Sequence, residues 1–313
     1  MPVNTIDRKE ELPMDKPLVG GQAVVEGVMF QTKNRMVTAI RRNNDVIQYF
    51  EMERPQKEWA QKLKKIPILR GNVAILESSI YGMKHLEFAT DRYERDPEDD
   101  ISIEDEKQAV NQTKVVLSTI IVGILSFLIG KFLFTLIPVF VAEVFSGAIT
   151  SHFGQVFLES LFKLILLLGY IYVISMTPMI KRLFQYHGAE HKVINTFEDG
   201  RPLTIENVQR HSRLHYRCGS SFILFTVLVG FVVYMFVPVE PFYVRILNRI
   251  ALIPVVIGVS FEFLQLTNKL RDVPVFKWLG FPGLLLQYLT TKQPDDTQVE
   301  VAIHSFNKLL RRD

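Results

Sequence analysis

One cysteine, Cys218, stands in 313 residues. An intrachain disulfide is therefore excluded, which leaves the thiol for a reducing compartment, a buried position or a ligand role. Net charge is also small: 36 Lys and Arg against 33 Asp and Glu give +3. That balance supplies no general pull on nucleic acid, and no direct nucleic-acid binding is expected. No basic stretch leading into an apolar run opens the chain, so no signal peptide is expected. Internal repeats and low-complexity tracts are missing too. Finally, charge itself is nearly absent from 115–176 and 222–267.

Those uncharged stretches contain four runs long enough to suggest bilayer spans, which need about 20 residues. They run from about Val115 to Val141, Val156 to Met176, Phe222 to Val237 and Tyr243 to Leu266. Lys131 interrupts the first, so that run crosses tilted or breaks near Gly130-Lys131. Arg245 and Arg249 stand early in the fourth and Glu262 late. Segment 177–221 carries seven Lys and Arg, while 143–155 and 238–242 carry none. The positive-inside rule then places both termini and the 177–221 loop in the cytosol.

Outside the spans, residues 1–16 read as a flexible tail. Gly20 to Met29 reads as a strand flanked by glycines. Arg35 to Arg42 and Asp45 to Glu53 read as strands joined at Asn43-Asn44, a dipeptide that tolerates positive φ. A basic amphipathic piece, Lys57 to Ile66, suits either anionic lipid or a surface helix on the small sheet. A helix from about Leu69 to Tyr93 follows, then an acidic linker with eight acids in 94–106. Near the end, Val299, Ala302, Ile303, Phe306, Leu309 and Leu310 fall at helical spacing. That stripe needs a partner, either the N-terminal region or another subunit. The expected class is an α-helical membrane protein with four spans plus a small α+β cytosolic N-terminal domain. Its expected parts are 17–113 (the α+β domain), 114–268 (the membrane domain with its loop) and 269–313 (a cytosolic C-terminal segment).

The chemistry concentrates in the 177–221 loop. Tyr186-His187-Gly188-Ala189-Glu190-His191 reads H-x-x-E-H, the order of an inverted zinc-protease signature. On a helix, residues i, i+3 and i+4 share one face, so two imidazoles can grip one ion while the carboxylate stays free as a base. His211 and His215 follow at the same i, i+4 spacing on an expected helix capped by Thr204, and Cys218 comes three residues later. Four of the seven histidines and the single cysteine thus fall within 32 residues. The economical ligand set is His187, His191 and one or both of His215 and Cys218. Zinc or another divalent metal suits these donors, with Glu190 as catalytic base. His211 and Glu262 are secondary candidates, Glu262 by its order as the downstream acid of an inverted site. A hydrogen-bonded network fastening two helices is the alternative. Gly188 also weakens the helix that the chelate requires.

Several strings together resemble the YqhQ-like family of bacterial membrane proteins, whose function is unknown and which is described in terms of metal-dependent enzymes. They are Gly20 to Met29, Leu69-Arg70-Gly71, Tyr186 to Lys192, His215 to Phe222 and Leu289 to Ile303. The resemblance spans residues 20–306. Tyr216 and Ser220 stand where the family pattern usually has proline and threonine, and neither change removes a ligand. The resemblance implies a multi-pass protein of the bacterial cytoplasmic membrane that assembles as a homo-oligomer in the lipid bilayer. It also implies association with the Sec translocon or the ribosome. Two functions are therefore expected. The favoured one is an oligomeric accessory or scaffold in membrane-protein insertion or secretion. The alternative is a membrane-bound metal-dependent hydrolase using H-x-x-E-H at the cytosolic surface.

Overall fold

Four strands build one antiparallel sheet, ordered β1-β2-β3-β4, and the apolar runs of β2 and β3 are buried on both faces. The computed structural model describes residues 17–95, 129–130, 132–271 and 273–311. The strands are β1 (Gly20–Val24), β2 (Gly27–Gln31), β3 (Arg35–Arg41) and β4 (Ile47–Glu53). Because side chains alternate across a strand, Val28 and Phe30 face one side and Met29 the other. The first face packs with Val37 and Ala39 on two helices introduced below. The second packs with Val24, Met36 and Ile40 on α2 (Leu69–Glu94), which follows the short α1 (Glu58–Leu63).

Two turns differ from the sequence reading. Gly20 to Met29 is not one strand but a hairpin, because Val24 pairs with Gly27 across Val25-Glu26. Glu26 takes a φ of 50°, and its carboxylate accepts from Arg182 Nε at 2.6 Å and from Tyr186 Oη at 3.2 Å. Those bonds hold the turn in place. At the β3–β4 turn the positive φ falls on Asp45, at 62°, and not on Asn43 or Asn44.

The helical part consists of α3 (Ile137–Val144), α4 (His152–Ile174), α5 (Pro178–Glu198), α6 (Ile205–Arg210), α7 (Gly219–Tyr234), α8 (Phe242–Ala251), α9 (Ile253–Lys269), α10 (Phe281–Thr290) and α11 (Asp296–Leu310). A π-helical turn, Phe132–Leu136, enters α3. The expectation of four straight spans meets a different picture. Among the described residues, only α4, with 23 residues, is by itself long and apolar enough to cross a membrane. The α8–α9 pair qualifies jointly but bends by 50°, and α7 has only 16 residues. Pro254 stands at the start of α9, and a proline there interrupts the helix that α8 would otherwise continue. Arg245 and Arg249 on α8 are buried and turn onto Glu159 of α4, at 3.1 and 2.8 Å, with Glu143 and Gln155 beside Arg245. These pairs fasten the bent α8 onto α4, and breaking them would leave buried charge unpaired. The 1–16 tail, the 96–106 part of the acidic linker, the start of the first run and the break expected at Lys131 lie outside the described residues.

The stripe of α11 is covered within the chain. Val299, Ala302, Ile303, Phe306 and Leu309 are buried against β2, β3 and α5, with Phe306 centred 5.0 Å from both Phe30 and Phe197. Asp295 and Gln298 close its N-terminus as a reciprocal capping box.

On the opposite face of the sheet, His85 of α2 is fully buried, with Nδ1 2.7 Å from Thr38 Oγ1. Burial, with Lys84 adding to it, lowers its pKa from 6.5 to about 4. An unfolded imidazole protonates near 6.5, so the neutral folded form contributes full stability above that pH. The contribution is lost as pH falls from 6.5 toward 4, by about 3 kcal/mol at the acid end. Thermal unfolding in detergent at pH 7 and pH 4.5 should show a steeper acid loss for the wild type than for His85→Gln. Identical acid limbs would remove His85 as the cause.

Candidate metal centre

α5 begins with Pro178 after the N-cap Thr177 and stays regular through Glu198. His187, Glu190 and His191 therefore project from one face, as the i, i+3, i+4 rule requires. Opposite them, Cys218 is the N-cap of α7, with its sulfur accepting from Ser220 N at 3.4 Å. One ligand atom from each of His187, His191 and Cys218 lies within 4.8 Å of the other two. A tetrahedral ion at about 2.0–2.3 Å from each donor would separate them by roughly 3.3–3.8 Å. His187 Nε2 and Cys218 Sγ are already 3.2 Å apart, so the cluster needs only slight adjustment to fit such an ion.

Backbone carbonyls fix both rings. His187 Nδ1 lies 2.8 Å from Thr290 O, and His191 Nδ1 lies 2.6 Å from Arg213 O. A carbonyl can only accept, so each Nδ1 carries a proton and Nε2 is the nitrogen left facing the cluster. This is the outer-shell arrangement by which ligand histidines are oriented. The carbonyls are themselves held. Buried Lys192 donates to Gln209 O and His211 O, both at 2.7 Å, and Asn195 donates to Ser212 O and Leu214 O, which fixes the loop that presents Arg213 O. Gln287 of α10 brackets His215, accepting from its N–H and donating to its C=O, each at 2.8 Å.

Close approach of backbones completes the site. A Cβ on Gly188 would lie 2.1 Å from Lys292 O, so the residue that weakens the isolated helix is the one that admits segment 290–294. A Cβ on Gly21 would lie 2.7 Å from Glu190 Oε1, so β1 passes directly over the carboxylate. Glu190 is buried, and among the described residues nothing donates a hydrogen bond to it.

The electrostatics divide the roles. Burial opposes ionisation of the Cys218 thiol, but His191 and His187 outweigh it and hold the thiol well below its usual range. Burial likewise opposes charge on His187, yet the Cys218 thiolate and its hydrogen bond push that imidazole up to about 9. Glu190 is raised by burial, with the two histidines pulling the other way. A buried carboxylate of raised pKa beside an ion site is suited to take and return a proton.

The other sequence candidates separate. His215 lines the same cavity, its ring centred 5.7 Å from that of His191, but its Nε2 sits 3.7 Å from Glu198. Glu198 is also paired with Arg217; burial alone would raise its pKa, but His215 and Arg217 hold it down to about 2. His215 and His211 do not share a helix as expected, because α6 stops at Arg210 and His211 is its C-cap. His211 instead bonds to Asn207 O and Asp199. Glu262 does not reach the cluster either. It is paired with Arg70 and accepts from Ile68 N, since α9 packs that acid on the start of α2. Lys192, Asn195 and Gln287 were missed in the sequence. Their only trace was a polar side chain recurring within helices that are otherwise buried.

The cluster opens on a cavity of about 630 Å³ between β1, α2, α5, α7 and α9. Residues 66–312, which hold every candidate ligand, match the family described as "Protein of unknown function (DUF1385)". The chain belongs to this family. Among its relatives, the "Uncharacterized protein YqhQ" of Bacillus subtilis (strain 168) is 58% identical over 295 residues, covering 94% of this chain and 93% of the relative. No solved structure matches the chain. The sheet lies ahead of the matched DUF1385 residues, yet it forms one wall of the cavity.

Two outcomes are expected. Protein purified without a histidine tag should carry about one equivalent of zinc or another divalent ion by elemental analysis, falling below about 0.1 in His187→Ala, His191→Ala or Cys218→Ala. Glu190→Gln should keep its metal. Binding must also displace the proton that His187 holds up to about 9. Apparent affinity should therefore rise about tenfold per pH unit between 6 and 8. Competition with a chromophoric chelator would measure that slope, and a flat profile would exclude displacement of that proton.

Proposed function

We propose that the protein is a membrane-associated, metal-dependent hydrolase. The observation that carries this reading is the cluster itself: two imidazoles with their Nδ1 protons committed to carbonyls, a low-pKa thiol, and beside them a buried carboxylate that none of the described residues hydrogen-bonds. His187, His191 and Cys218 would hold a divalent ion, which supplies Lewis-acid polarisation of a carbonyl and activation of water. Three protein ligands leave a fourth position open, the pattern of a catalytic site. Glu190 takes a proton from the attacking water and delivers it to the leaving group. Thr290 O and Arg213 O keep the rings oriented throughout.

Association with a bilayer is supported by α4 and by large apolar side chains left exposed on the helical part. Phe157, Ile165, Val173, Phe236, Tyr243 and Trp278 are examples. Water would not favour such a surface, whereas lipid would. Four spans, with the 177–221 loop and both termini in the cytosol, remain the topology we propose, with the α8–α9 pair as a bent fourth span. The accessory role near the translocon has lost one support, since the α11 stripe is covered by the chain's own sheet and α5.

The test is hydrolysis of a panel of ester and amide substrates by the zinc-loaded protein. Glu190→Gln should lower the rate at least about 100-fold with metal content unchanged. Chelation should abolish the rate and added zinc should restore it. Full activity in Glu190→Gln would end this reading. Activity that resists chelator but is lost with iodoacetamide would assign the chemistry to Cys218 as nucleophile.

A further inference from the structure

β1 is an edge strand, and residues 18–23 line the cavity one after another. A strand that offered one face would place only alternate residues there. An unbroken run means that the backbone edge itself faces the space. The register says which groups it offers. Val24 pairs with Gly27 across a two-residue turn, so Val24, Gln22 and Gly20 exchange hydrogen bonds with β2. Gly21 and Ala23 then direct their N–H and C=O outward. Among the described residues no hydrogen bond meets those groups.

Two residues of the lining, Gln31 of β2 and Asn268 of α9, also carry buried side-chain oxygens with no hydrogen-bond partner among the described residues. The guanidinium in the lining, Arg217, is paired with Glu198.

We propose that the substrate is an extended polypeptide, which adds to the sheet as a strand along β1 and is cut beside Glu190. This rests on the hydrolase reading above. Open strand edges bind peptides through main-chain hydrogen bonds, with pockets reading alternate side chains. Gly21 sits against Glu190. A peptide paired at Gly21 is therefore carried past the carboxylate and the His187–His191–Cys218 cluster. In the step itself, the water oxygen bonds to the carbonyl carbon and Glu190 accepts a water proton. The C–N bond then breaks and the proton passes to the departing nitrogen. A carboxylate and an amine result.

The test uses the full-length, zinc-loaded protein in detergent and reduced, carboxymethylated casein, with cleavage sites mapped by mass spectrometry. Peptides spanning a cleaved site are then N-methylated one position at a time. Methylation at the alternate positions that face Gly21 and Ala23 should raise KM about five- to tenfold, and the intervening positions should change little. Ala23→Pro removes one outward donor while leaving the β1–β2 bonds intact, and should raise KM similarly with metal content unchanged. Cleavage of small esters without cleavage of casein or its peptides would overturn the polypeptide assignment and leave the hydrolase standing. Equal effects of N-methylation at every position would overturn pairing on β1. If nothing is hydrolysed, the hydrolase reading fails. Fluorescence anisotropy of labelled casein peptides on Glu190→Gln then decides this proposal separately: saturable binding weakened by Ala23→Pro supports it, and no binding ends it.

Discussion

The passage of segment 290–294 across Gly188 is the contact on which the rest of the structure depends. Lys292 N donates to Phe184 O at 2.8 Å, and Lys292 O occupies the space a side chain at 188 would need. That approach brings Thr290 O to His187 and ends α10 where Gln287 can bracket His215. It also sets the start of α11, which then lies across the sheet. One backbone crossing thus fixes the orientation of a ligand and the closure of the core. The cost of a glycine inside α5, about 1 kcal/mol against alanine, is small beside what the crossing organises.

The site follows a common physical logic. Three donor residues come from two helices, and each histidine is locked by a carbonyl from a third segment. The ring planes are therefore set by main chain, which has fewer ways to relax than a side chain. Charges are balanced locally, with Cys218 against two imidazoles and Glu198 against Arg217 and Arg271. Glu190 stands apart as a carboxylate that none of the described residues hydrogen-bonds, raised by burial.

A second charged cluster works differently. Arg245 and Arg249 share Glu159 deep in the apolar helices, and Arg249 also lies over the Tyr234 ring at 4.0 Å. Its effect is architectural, since it fastens α8 onto α4. From the sequence, the two arginines read only as charges early in a fourth run. Their shared partner, Glu159, lies 86 and 90 residues away, and spacing along one helix carries no trace of it.

Local pattern determined much of the rest. The strands from Arg35 onward, α2, the Thr204 cap and the α11 stripe were legible, because each depends on alternation, helical spacing or a capping residue within a few positions. The H-x-x-E-H face and the nearness of Cys218 were legible for the same reason. Only the tertiary structure decided that Gly20 to Met29 turns back on itself at Glu26, since Arg182 and Tyr186 hold that turn from another element. Only it separated His215 from the ligand trio, gave Glu262 to Arg70, and placed the open edge of β1 over Glu190. These are long-range contacts, whose energies depend on which surfaces meet in space and not on the order of residues along the chain.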